Sequence, residues 1–306
     1  MKNKKNVTTG ALTAMITPMK DDGRVDYKTF EKLLERQYLH GIRGIVVLGT
    51  TAETPTLDEK EQKKLVKIAI KRFGCFEDTY VVVGTGTNCT KKTVENTKKF
   101  ARDMGADAAL VVTPYYNKPN ENGLIMHFAE VSKVMPIIVY DIKGRTARQI
   151  TIDEFKELAK MENVIGFKAA SGDIGQITEL INKVAKMSYS VRDKRFYVWS
   201  GDDNLTVPVR KAGGDGVISV ISNLVPELVK QITVGDDWAA LEKLAKENEP
   251  VAKAAFVETN PVPIKHMMWS TGLIESNAVR LPLGQMSDEN KKLTESVAKK
   301  YFKKTR

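Results

Sequence analysis

Only two cysteines and three histidines occur in 306 residues. Cys75 and Cys89 make no CxxC spacing, and His40, His127 and His266 are scattered, so neither a disulfide framework nor a metal site is expected. Long apolar runs are missing too: no stretch approaches the ~20 residues of a membrane helix, and the chain is expected to be soluble. The opening MKNKKNVTTG has lysines but no apolar segment after them and no arginine. That pattern disfavours a secretory signal or transit peptide and predicts a cytoplasmic protein. Acidic residues fall short of basic ones, 38 against 48, which leaves a net charge of +10. The lysines are nevertheless interspersed with acids, as in Asp58-Glu59-Lys60-Glu61, and read as a solvated surface without a nucleic-acid partner. The clusters Lys2–Lys5 and Lys303–Arg306 are terminal, where mobility is expected. A positive field of this kind helps draw in anionic substrates.

What is present is a repeat of short apolar runs, each followed by a segment with helical spacing. Eight runs stand out: Leu12–Ile16, Gly44–Leu48, Tyr80–Val83, Ala109–Val112, Ile137–Tyr140, Val164–Phe167, Tyr197–Ser200 and Gly216–Val220. Helical segments between them include Tyr27–Leu39, Glu59–Arg72, Lys92–Met104, Leu124–Val134 and Ile152–Lys160. Strands apolar throughout and alternating with helices imply a parallel sheet buried on both faces, and eight such units predict an α/β fold of the (β/α)₈ TIM-barrel type. An open doubly wound sheet is the structural competitor. After Val220 no strand-like run recurs, and helices are expected around Trp238–Ala255, Pro263–Ser270 and Asp288–Tyr301. The division predicted is a barrel over 1–224 carrying the active site and a C-terminal helical region over 225–306.

A barrel of this type keeps its chemistry at the C-terminal ends of its strands. Lys168 follows Val164-Ile165-Gly166-Phe167 and precedes the small residues Ala169-Ala170-Ser171-Gly172. A lysine buried there favours its neutral amine, the form that attacks a ketone to make an imine. On spacing alone, a snorkelling lysine whose head reaches water is the better fit. Tyr140 ends the fifth run, where a phenol can both donate and accept a proton or stand as an amphipathic rim residue. Thr50 and Thr51 follow Gly49 and offer hydroxyls and backbone N–H groups to a small carboxylate, or simply cap a turn. Arg145 brings a planar fork suited to a carboxylate, or stands solvated in its loop. Gly84-Thr85-Gly86-Thr87 is followed by Cys89 where a dinucleotide fingerprint needs glycine, so nucleotide binding is rejected. Asp202-Asp203 lacks further ligands and reads as a helix cap rather than a cation site.

With these residues in this order, the sequence resembles the dihydrodipicolinate synthase/N-acetylneuraminate lyase family from Gly10 to about Asp288. The resemblance rests on Gly49-Thr50-Thr51-Ala52-Glu53, Thr113-Pro114-Tyr115-Tyr116-Asn117, Tyr140 with Arg145-Thr146, and Ile165-Gly166-Phe167-Lys168. Ser200-Gly201-Asp202-Asp203, Gly216-Val217-Ile218-Ser219 and Asn260-Pro261-Val262-Pro263 complete the set. It implies a lyase that needs no metal or organic cofactor and condenses pyruvate with L-aspartate 4-semialdehyde in lysine and diaminopimelate biosynthesis. Lys168 would carry the imine, with Thr50 and Thr51 holding the pyruvate carboxylate near the backbone of Ile218. Tyr140, Thr51 and Tyr116 would relay protons, Tyr116 acting in a neighbouring subunit of a homotetramer built from tight dimers. Arg145 would hold the semialdehyde carboxylate.

The sequence departs from the family pattern after Tyr140. Asp141-Ile142-Lys143-Gly144-Arg145-Thr146-Ala147 lacks the usual asparagine, proline and final glycine, and Lys143 adds a cation near the second carboxylate site. Ala169 replaces a residue that is often polar. At the position where lysine-sensitive relatives carry a carboxylate this chain has Lys92, and Glu59 and Gln62 replace histidines, although Asn88 and Tyr115 remain. Weak or absent inhibition by lysine is the resulting expectation. N-acetylneuraminate lyase or 2-keto-3-deoxy sugar-acid aldolase activity is the nearest alternative, and Arg145 with Tyr115-Tyr116 weighs against it. A non-catalytic barrel that binds a keto acid is the alternative from another class, opposed by Lys168, Tyr140, Thr51 and Tyr116 together.

Overall fold

The computed structural model describes residues 7–187 and 195–304. The basic cluster Lys2–Lys5 lies outside them, and of Lys303–Arg306 only the backbone of the first two positions is included. Eight parallel strands close into a barrel in sequence order: β1 (Gly10–Ala14), β2 (Gly44–Val47), β3 (Tyr80–Gly84), β4 (Ala108–Val112), β5 (Ile137–Asp141), β6 (Val164–Ala169), β7 (Tyr197–Ser200) and β8 (Gly216–Ser219). The open-sheet alternative is thereby excluded. β1 begins two residues earlier than its apolar run, because closure needs it: Gly10 pairs with Gly216 and Leu12 with Ile218. At that seam a side chain on Gly216 would meet the Gly10 carbonyl oxygen at 1.9 Å, so two bare backbones make the joint.

Side chains alternate across each strand. Phe167 points outward and packs against Phe155 and Phe196 at centroid distances of 4.3 and 4.6 Å. Its neighbour Lys168 therefore points inward, level in register with Tyr140 on β5 and Trp199 on β7. Leu12, Val46, Val82, Leu110, Ile138 and Ile218 fill the same interior. Parity thus commits Lys168 to the barrel axis before any functional argument is made.

The helices Tyr27–Leu39 and Glu59–Arg72 have the expected bounds. The second starts in a capping box between Asp58 and Glu61. The segment expected at Lys92–Met104 begins at Thr90 and passes into a π-helical turn over Thr97–Arg102. Lysines pair with acids along several helix faces, Lys63 with Glu59 and Lys183 with Glu179 among them, as a solvated surface requires.

Beyond β8, the helix Pro226–Thr233 packs on β1 and β8 and so completes the ring of helices round the barrel. We propose that the helical appendage starts after Val234 rather than at residue 225. The helix expected over Trp238–Ala255 is two helices, Trp238–Glu247 and Glu249–Ala254. Pro250 lacks an N–H and crowds the preceding turn, which breaks the helix at Asn248. Val262–Ser270 and Asp288–Lys304 follow. None of the described helices is long and apolar enough to cross a membrane.

Candidate active site

Lys168 is 6% exposed, and its Nζ lies 4.2 Å from the centroid of the Tyr140 ring. The sequence placed both residues at strand ends; the structure sets them one step inside, within β5 and β6. The amine therefore sits where the ring quadrupole attracts positive charge. Gly201 makes room for the lysine stem, since a side chain there would come within 3.1 Å of its Cε and 2.4 Å of the Ala170 Cβ. Asp202 is the nearby counter-charge. Burial pushes its carboxyl above the usual range, against the opposing pull of the Gly172 N–H and of Lys168. Neither Asp202 nor Asp203 caps the following helix, contrary to the expectation from sequence. Asp203 is buried and instead accepts from Ser219 Oγ and from the backbone N–H groups of Val220 and Ile221, which fixes the chain just beyond Ile218.

Thr50 and Thr51 lie in a single 3₁₀ turn, Thr50–Ala52. The leading N–H groups of such a turn have no partner within it. Thr17 Oγ1 holds the turn by donating to the Ala52 carbonyl at 2.7 Å, and Glu53 ends it with a left-handed backbone, φ 56°. Glu53 is buried and paired with Lys265 at 2.7 Å, both side chains being wholly inaccessible, and its second oxygen accepts from the Arg280 N–H. A buried ion pair between the barrel and the helix Val262–Ser270 therefore fixes the threonine turn. Thr51 is 2% exposed, and its hydroxyl accepts from Asn260 Nδ2 at 3.0 Å. Among the described residues no hydrogen bond joins Thr51 to Tyr140.

A cavity of about 420 Å³ is lined by Thr50, Gln62, Tyr140, Arg145, Asn260 and Pro282 among others, whereas Lys168 and Thr51 are not among its lining residues. Arg145 stands at its rim on the short helix Lys143–Thr146 and donates from Nη2 to the Asn260 carbonyl at 3.0 Å. Tyr116 is not brought into this constellation. It is 89% exposed and has a left-handed backbone, φ 71°. Tyr115 lines the cavity, and Asn88 accepts from Asn117 Nδ2 through its carbonyl. Lys92 is exposed and 4.0 Å from Glu95, while Glu59 is engaged by Lys63 and Lys99.

Asn260, Glu53 and Lys265 carry much of this geometry and were given no role from the sequence. A signal for Lys265 existed: it is a lone charge within Val262-Pro263-Ile264-Lys265-His266-Met267-Met268, where a buried partner is required.

The departure at Asp141 has a physical consequence. Its side chain is 2% exposed, accepts among the described residues only a 3.4 Å bond from the Ile150 N–H, and has its carboxyl pKa pushed up to about 7 by burial. Arg148 and Lys143 pull it down and Glu154 pushes it up, and Arg148 is itself paired with buried Glu154. A carboxyl with a raised native pKa binds its proton more tightly folded than unfolded, so stability is lost as pH rises from the ordinary carboxyl range through about 7. Asp141→Asn is expected to raise the melting temperature on the order of 5 °C at pH 8 and hardly at all at pH 4. Equal shifts at the two pH values would contradict this assignment.

Comparison with known proteins gives a consistent picture. The sequence model described as the dihydrodipicolinate synthetase family matches residues 7–301. A 4-hydroxy-tetrahydrodipicolinate synthase from Protochlamydia amoebophila is 38% identical over 92% of each chain. The structure of a dihydrodipicolinate synthase from Thermotoga maritima superposes with a TM-score of 0.90 at 37% identity, covering 96% of this chain and 98% of that one. A dihydrodipicolinate synthase from Acinetobacter baumannii complexed with pyruvate gives 0.89 at 33% identity, with coverage of 96% and 98%.

Proposed function

Because this chain belongs to the dihydrodipicolinate synthetase family, we propose that it condenses pyruvate with L-aspartate 4-semialdehyde through an imine on Lys168. It is a pyruvate-dependent lyase of lysine and diaminopimelate biosynthesis, yielding 4-hydroxy-tetrahydrodipicolinate. The observation that carries the catalytic assignment is the inward, buried Lys168 with its amine over the Tyr140 ring.

The neutral Lys168 amine adds to the pyruvate ketone, and loss of water from the carbinolamine gives the imine. Tyr140 moves the protons, being a phenol that lines the cavity and whose ring lies beneath the Lys168 amine. The threonine turn holds the pyruvate carboxylate through the hydroxyls and leading N–H groups of Thr50 and Thr51, near the backbone of Ile218. The protonated imine draws electrons from the methyl carbon, a methyl proton leaves, and the resulting enamine carbon attacks the aldehyde. The semialdehyde amine then attacks the imine carbon, closing the ring and expelling Lys168 as the free amine.

Borohydride reduction after incubation with pyruvate should leave an adduct on Lys168 detectable by mass spectrometry. An unmodified Lys168 would refute the imine. Turnover with aspartate semialdehyde, compared with cleavage of N-acetylneuraminate and keto-deoxy acids, tests the choice of aldehyde.

Arg145 is the residue assigned to the semialdehyde carboxylate, supported by its place on the cavity rim and its anchored guanidinium. Arg145→Ala should lower kcat/KM for the semialdehyde on the order of 10- to 100-fold while the yield of pyruvate adduct stays unchanged. Loss of the adduct as well would show instead that Arg145 serves the first half-reaction.

The reading extends to assembly and location: a homotetramer of tight dimers in the cytoplasm, with Tyr116 completing the proton relay of a neighbouring subunit. An almost fully exposed tyrosine on a left-handed backbone is what supports the exchange, because such a conformation is unfavourable for a bulky residue.

A further inference from the structure

Asn260 joins the two halves of the site. Its Nδ2 donates to Thr51 Oγ1 at 3.0 Å, its carbonyl accepts from Arg145 Nη2 at 3.0 Å, and the residue lines the cavity at 7% exposure. Its amide oxygen Oδ1 is buried and receives no hydrogen bond from any described residue. A buried acceptor without a donor is unfavourable, and a ligand that supplies the donor relieves the deficit.

We infer that Asn260 is the specificity-determining residue for the α-amino group of the second substrate. The inference rests on the function proposed above and identifies what that site selects. In an α-amino acid aldehyde the amine and the carboxylate share one carbon. A carboxylate on Arg145 therefore carries its amine into reach of the residue whose carbonyl anchors that arginine. The terminal torsion of an asparagine is soft, so the side-chain amide can adjust towards a donor that enters the cavity the residue lines. The acceptor is neutral, which has a chemical use: the amine must lose a proton before it can attack the imine carbon, and a carboxylate in the same place would hold it as ammonium. Sites built to hydrogen-bond a substrate N–H reject analogues that lack it, since the protein group is then left unpaired.

The test compares L-aspartate 4-semialdehyde with succinic semialdehyde, which lacks the amine, as ligands of the pyruvate-loaded enzyme. The parent protein should prefer the amino aldehyde, and Asn260→Ala should reduce that preference about tenfold or more when the two aldehydes are compared at equal occupancy of the Lys168–pyruvate adduct. Asn260→Asp, equal in size, should keep the preference and lower kcat by retarding ring closure. If Asn260→Ala weakens both aldehydes by the same factor, the residue merely supports Thr51 and Arg145 and the inference fails. It fails equally if Asn260→Asp loses the preference. Absence of the pyruvate adduct in the parent protein would instead sink the proposed function, so the two failures are told apart.

Discussion

Lys168→Met is expected to reduce condensation by more than about a thousandfold and to abolish the borohydride-trapped pyruvate adduct, with little loss of stability. Methionine matches the unbranched stem that Gly201 admits, so the contact with the Tyr140 ring is kept while the amine is removed. The contact between the amine and the Tyr140 ring is lost, but so is the burial of a polar group at 6% exposure, and these changes oppose each other. The melting temperature should therefore move by only a few degrees. Residual turnover within tenfold of the parent rate would rule out Lys168 as the nucleophile. Collapse of the fold would show that the lysine is structural.

The barrel was legible because strands buried on both faces read as apolar throughout, and eight of them recur with helices between. Lys168 was legible only as an alternative. Counting along β6 does not reveal which face the lysine takes until Phe167 is known to pack outward on Phe155 and Phe196. The supports of the site were hidden for another reason. Thr51 and Asn260 are 209 positions apart, as Thr13 and Ser222 are, and a pairing of that range leaves no local trace in composition or spacing. Asp203 misled by the same route, because a carboxylate before a helix suggests a cap, whereas its partners lie across the neighbouring strand on Ser219, Val220 and Ile221. The helix Pro226–Thr233 carries no mark in the sequence that assigns it to barrel or appendage, and its contact with β1 and β8 is what supports our proposal to count it with the barrel.

The Glu53–Lys265 pair should prove the most consequential of those hidden supports for stability. Both side chains are wholly inaccessible, and burial draws the Lys265 ammonium below the usual lysine range against the attraction of Glu53. Lys265→Met leaves the Glu53 carboxylate in the interior with, among the described residues, only the Arg280 backbone N–H as a hydrogen-bond partner, and breaking a buried pair in this way costs about 3–5 kcal/mol. Urea unfolding at neutral pH should register that loss. Glu53→Gln/Lys265→Met should recover much of it, since the uncompensated charge is gone. Because Glu53 closes the turn that carries Thr50 and Thr51, the single variant should also raise KM for pyruvate more than KM for the semialdehyde. A loss under about 1 kcal/mol would mean that water or a rearranged Arg280 reaches the carboxylate. A uniform rise in both KM values would break the link between this ion pair and the pyruvate half of the site.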